Sequence, residues 1–140
     1  MELTIYKKKK PHAPGLKSVM RILSANRKGA FFSINVRLML DLGLTGGERV
    51  LISKDDDSRN DWYMTAGADI IDGSKTRPMG QGKSGRPVSM RFQNKGAVEA
   101  LLDSVKADYS ASFIVATRPT RMKDGRDWYR ILTATPRQKR

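Results

Sequence analysis

Several things are scarce or missing in this chain of 140 residues, and each absence narrows its chemistry. There is no cysteine, which excludes disulfides and thiolate metal sites and fits a reducing compartment. There is one histidine, His12, set in a proline-flanked basic stretch without a nucleophile beside it, so no Ser-His or Cys-His arrangement is indicated. No apolar run approaches the ~20 residues of a membrane span, and mean hydropathy is -0.53. Lys7-Lys8-Lys9-Lys10 is followed by Pro11-His12-Ala13-Pro14-Gly15 where a signal peptide would need an apolar stretch. Acidic residues are also few, 14 against 27 basic ones, for a formal net charge of +13. That balance points to a polyanionic partner, nucleic acid first and DNA in particular. The compartment expected is cytoplasmic, nucleoid- or phage-associated settings included.

The charge is unevenly placed. Lys7 to Lys10, Lys17, Arg21, Arg27 and Lys28 crowd the first thirty residues with one acid, Glu2. Lys75, Arg77, Lys83, Arg86, Arg91 and Lys95 follow one another from 73 to 95 with no acid between them. A third group, Arg118, Arg121, Lys123, Arg126 and Arg130, leads to the basic end at 137–140.

One pattern repeats. Asp61-Trp62-Tyr63 recurs as Asp127-Trp128-Tyr129, and the two copies hold both tryptophans of the chain. Each copy closes a similar run of elements. In the first, 17–25 and 30–34 alternate as strands around an Asn-Arg-Lys-Gly turn. Asn35 caps a short helix over 36–42, and Gly43 ends it. Strands at 50–53 and 62–66 flank a polar loop. In the second, a strand at 88–92 leads to Asn94, which caps a helix over 96–105 with Val98, Leu101, Leu102 and Val105 on one face. Strands at 112–116 and 128–132 flank the basic loop 118–126. The fold class expected is α+β: two tandem ββαββ-like units forming a small sheet or barrel with two short helices. The organisation expected is a basic arm 1–17, a first unit 18–66, a Gly/Pro-rich basic linker or loop 67–87, a second unit 88–133 and a basic tail 134–140.

The stretch from Gly29 to Val50, with Phe31-Phe32-Ser33-Ile34, a short helix ending in Leu42-Gly43-Leu44 and the turn Thr45-Gly46-Gly47-Glu48, resembles swapped-hairpin DNA-binding domains of the SpoVT/AbrB type. It covers roughly residues 18–66. Asn35 stands where that family usually has proline, and the second unit lacks the Leu-Gly-Leu signature. The resemblance implies exchanged hairpins and a DNA face near Arg21, Arg27, Lys28 and Arg37. It also implies that two units in one chain could form the equivalent of a dimer; a homo-oligomer is the other possibility. Val88 to Val105, a strand leading into an amphipathic helix, is similar to an element of the Whirly and transcriptional-coactivator group of single-strand binders. That resemblance implies base stacking, with Trp62, Tyr63, Trp128 and Tyr129 as the candidate rings.

Other motifs weigh less. Gly80-Gln81-Gly82-Lys83-Ser84 lacks the upstream glycine of a phosphate loop, since Arg77 stands there. Asp55-Asp56-Asp57 lacks the alternating spacing of a calcium loop and reads as a solvated turn. Asp41, Glu48, Glu99 and Asp103 fall on helices or turns without the apolar pocket that acid–base work requires. Neither metal nor cofactor is expected, and no enzyme activity. The function expected is non-catalytic DNA binding, as a regulator or architectural protein. Its phosphate contacts would come from Lys7, Lys8, Lys9, Lys10, Arg27, Lys28, Lys83, Arg86, Arg118, Arg121, Lys123 and Arg126. The alternatives are a single-strand binder that stacks bases and a basic structural protein of a virion or ribonucleoprotein assembly.

Overall fold

The computed structural model describes residues 20–55, 61–81, 85 and 87–138, the last five by backbone alone. The chain is an α+β protein in which a nearly closed antiparallel sheet wraps one core. The strands are β1 Ile22–Asn26, β2 Phe31–Asn35, β3 Arg49–Lys54, β4 Trp62–Gly67, β5 Ser74–Lys75, β6 Arg77–Met79, β7 Ser89–Gln93, β8 Ser110–Val115, β9 Thr120–Arg121 and β10 Asp127–Gln138. The helices among the described residues are α1, Val36–Asp41, and α2, Lys95–Ser104.

Hairpins form where the chain supplies turn residues. Gly29 and Ala30 take positive φ between β1 and β2, a conformation that glycine adopts without strain. The order across the sheet is β5-β3-β4-β10-β8-β1-β2-β7-β6, with β9 paired to β10. The hairpins therefore interleave. β8–β10 lies between β3–β4 and β1–β2, although it is the last hairpin in the chain.

Closure depends on residues 74–79. Ser74 and Lys75 pair with β3, and two residues later Arg77 to Met79 pair with β7. One extended segment thus joins both edges of the sheet. Thr76, 1% exposed, is the pivot. Its amide and its hydroxyl both donate to the Glu48 carbonyl, at 2.8 and 2.9 Å, and its own carbonyl accepts from the Gly47 amide at 3.1 Å. Within the expected linker or loop over 67–87, the centre is strand, because two neighbouring edges offer it ladder partners that its composition does not reveal. β10 runs into the expected tail as far as Gln138, with Arg137 and Gln138 opposite Ser112 and Ala111 after a register shift beyond Leu132.

Alternation sorts the strands into two faces. Leu23, Ala25, Phe32, Ile34, Met90, Phe92, Phe113 and Ile131 point inward and are at most 1% exposed. Phe32 and Phe92 stack at 5.0 Å where β2 meets β7. Leu38 and Met39 of α1, and Val98, Leu101 and Leu102 of α2, complete the same core. Both helices are too short to persist alone, so this packing holds them.

Each helix has an asparagine N-cap. The Asn35 side chain accepts from the Leu38 amide at 3.1 Å, and that of Asn94 from the Ala97 amide at 3.1 Å. Asn35 has further duties. Its Oδ1 also accepts from the Ile22 amide at 3.0 Å, and its Nδ2 donates to the Met20 carbonyl at 2.8 Å. It ties the start of β1 to the start of α1, which a proline in its place could not do. Asn94→Ala is expected to cost about 1 kcal/mol, the usual worth of a cap. Asn35→Ala should cost about 1–3 kcal/mol more, because the part-buried Ile22 amide loses its acceptor. Urea denaturation of the two variants side by side tests the difference; equal losses would show that the β1 tie contributes nothing.

Candidate nucleic-acid interface

The two Asp-Trp-Tyr copies meet in the structure, since β4 pairs with β10. Their register sets Tyr129 opposite Met64, Arg130 opposite Tyr63 and Ile131 opposite Trp62. Met64 and Ile131 are core residues, so Trp62 and Tyr129 turn inward, whereas Tyr63 and Trp128 turn outward. The copies divide in opposite senses. Trp62 belongs to the core at 4% exposure, with Lys54 Nζ 5.9 Å from its ring centroid. Tyr129 packs on the core beneath Arg21, whose guanidinium lies 4.7 Å from the ring centroid.

The two outward rings line one groove of about 680 Å³ with Ser53, Lys54, Asp55, Met122, Lys123 and Asp124. Trp128 is held in place by its indole, which donates to both Asp124 carboxylate oxygens at 3.0 and 3.3 Å. Its exposure is 8%, so little of the ring is open to the groove. Tyr63 is half-buried and is the more accessible ring. Lys54 and Lys123 bring two cations to the same groove. Lys54 was not among the expected contacts; the β3–β4 register sets it opposite Trp62 and Ser53 opposite Tyr63, and it lines the rim of the groove.

The other expected contacts scatter. Lys7, Lys8, Lys9, Lys10, Lys83 and Arg86 lie outside the described residues. Arg21, at 5% exposure, donates to the Ala116 carbonyl at 2.7 Å with its Nε 3.5 Å from Asp41. Arg27 clips the β1–β2 turn to the loop after α2, bonding the Asp108 and Ala107 carbonyls and the Asp103 carboxylate. Arg37 pairs with Asp41, Arg121 with Asp127, and Arg126 with Asp69. Lys28 and Arg118 are exposed.

A second, more polar cleft of about 480 Å³ lies between the end of α1 and the β9–β10 hairpin. Two carboxylates bracket Arg126 there. Its side chain bonds Asp69 and its amide bonds Asp124. The Arg126 hydrogen bond holds the Asp69 carboxyl below its ordinary range. The Arg126 amide, and after it the Trp128 indole, do the same for Asp124. Arg126 is raised in turn, chiefly by its bond to Asp69. At Glu48 burial acts to raise the carboxyl, but bonds from its own amide, the Gly46 amide and the hydroxyl and amide of Thr45 outweigh it, and the net shift is downward. Among the described residues, no group of three or more His, Asp or Glu is placed to hold a metal ion.

Comparison with known proteins found no match, whether to a family model, a curated protein or a solved structure.

The depressed carboxylates predict an acid limb to stability. A carboxylate whose folded pKa is lowered stabilises the fold above its unfolded value, 4.5 for Glu48 and 3.8 for Asp69 and Asp124. That stability is lost as pH falls through the lower folded values. Tm should therefore fall as pH drops below about 4.5, and Glu48→Gln should flatten the limb. Thermal melts between about pH 2 and 7 would show it. A Glu48→Gln curve parallel to the parent's would exclude Glu48 as a contributor.

Proposed function

We propose that this protein binds nucleic acid, DNA foremost, without catalysing a reaction on it, and that it does so through phosphate contacts from its lysines and arginines. The observation that carries this reading is how the carboxylates are used. Asp41, Asp61, Asp69, Asp103 and Asp127 are each engaged by an arginine. Since each such pair is neutral, the excess of +13 stands on the remaining cations. A surface of that kind attracts phosphates by counterion release.

The pairing pattern supports a finer reading, in which two ββαββ units have exchanged hairpins within one chain, as the resemblance to swapped-hairpin domains implies. Let β1 and β2 correspond to the 74–79 segment and β7, and β3 and β4 to β8 and β10. The β2–β7 and β4–β10 pairings then map onto themselves, and β1–β8 maps onto the closing segment against β3.

A single-strand binder is a second reading, favoured by the groove in which Tyr63 and Trp128 face outward beside Lys54 and Lys123. Anisotropy titrations of labelled single-stranded and duplex oligonucleotides at two salt concentrations separate the readings. Steep salt dependence with tighter duplex binding supports the first. Tighter single-strand binding with tryptophan quenching supports the second, and Tyr63→Ala should then weaken it by about 1–3 kcal/mol. No binding of either form at physiological salt would remove both and leave the structural-assembly role.

A further inference from the structure

The cations that closure brings together lie away from the Trp-Tyr groove. Lys75 stands opposite Arg49 on β3, and Arg77 opposite Arg91 on β7. Thr76 between them points inward, so Lys75 and Arg77 share the outer face of the closing segment. Val50, Met90 and Phe92 are core residues on the neighbouring strands, so Arg49 and Arg91 share that face too. Opposed Cα atoms lie about 5 Å apart and alternate ones about 6.6 Å apart, which gathers the Cα atoms of four basic residues within roughly 12 Å.

Like charges directly opposite one another destabilise a sheet. Among the described residues none of these four forms a salt bridge. Two are nonetheless fixed in place. Arg49 donates to the Gly73 carbonyl at 2.9 Å, at a site where a Cβ on Gly73 would come 2.8 Å from the Val50 carbonyl oxygen. Arg91 lies 4.0 Å over the Phe31 ring. Ser33, opposite Arg91 on β2, continues the row with a small hydroxyl. The result is an outer face on which two of the four cations are held in place and, among the described residues, none is paired with a carboxylate.

We propose that this face is a phosphate-binding track for one strand of a nucleic-acid backbone, with Arg49, Lys75, Arg77 and Arg91 as its contacts. The ~12 Å run matches the rise of about three or four nucleotides at ~3.4 Å each. The proposal rests on the nucleic-acid reading above and adds to it a place that none of the expected contacts included.

The test is a double variant, Lys75→Gln with Arg77→Gln, both at exposed positions. The control, Lys95→Gln with Lys106→Gln, removes the same charge elsewhere. Duplex and single-strand affinities are measured against salt. For duplex, the track variant should lose roughly two from the salt slope, about 0.9 per phosphate contact, and bind on the order of tenfold to a hundredfold more weakly near 0.1 M salt. The control should lose much less. Melting temperatures, expected to be unchanged or higher at low salt for the track variant, confirm that it folds. If the parent binds and the track variant matches it, or matches the control, the track is wrong while the nucleic-acid reading stands. If the parent does not bind either form, the reading itself fails and the track with it.

Discussion

The structure depends on the closure at Thr76. A sheet of this width, left open, would present two edges of unpaired backbone groups. Here one short segment satisfies both, and it can turn from one edge to the other because Thr76 anchors amide, hydroxyl and carbonyl on Gly47 and Glu48. Glu48 in turn folds its carboxylate back onto Thr45 and Gly46. A short glycine-containing turn thus holds the seam of the barrel. The cation face follows directly from β7 and β3 being held to the same segment.

Arginine does two jobs in this fold. Arg21, Arg27 and Arg126 join parts of the chain far apart in sequence, through carbonyls, carboxylates or a ring face. Their planar forks suit such clips better than lysine would. The sequence shows them as charge and nothing more, and their structural partners lie too far along the chain to be read from it. Lysine has no comparable part among the described residues, and most of its positions there are exposed.

What was legible in the sequence was local. Asn35 and Asn94 announce their helices because a cap acts within three residues. The alternation of Phe31 to Asn35 and of Ser89 to Gln93 shows strands for the same reason. Residues 67–87 hid their strand because glycine and proline mark turns wherever they fall, and the partners of Ser74–Met79 lie on two distant hairpins. The repeated tripeptide misled in a subtler way. It aligns at an offset of 66, yet the β4–β10 register superimposes the strands face for face only at an odd offset, since Met64 sits opposite Tyr129. One residue of slip reverses the faces. Trp62 therefore enters the core while Trp128 stays outside, and the sequence repeat is not a structural equivalence.

That slip bears on the groove. In copies aligned face for face, both tryptophans would lie in the core and both tyrosines would cross the surface of the β4–β10 pair. The reversal turns one ring of each kind away from the core, with the tryptophan largely buried and pinned by Asp124. Tyr63 is left as the adaptable ring, beside Lys54 and Lys123. The groove thus combines a half-buried tyrosine with two exposed lysines, whereas on the closing face Arg49 is held by the Gly73 carbonyl and Arg91 covers the Phe31 ring. Fixed cations at close spacing suit a regular backbone, whose phosphates recur at set distances. A more accessible ring beside exposed lysines suits bases, whose positions vary. Under the proposed nucleic-acid function the two surfaces would therefore not be duplicates of one another: each would meet a different part of a nucleotide chain.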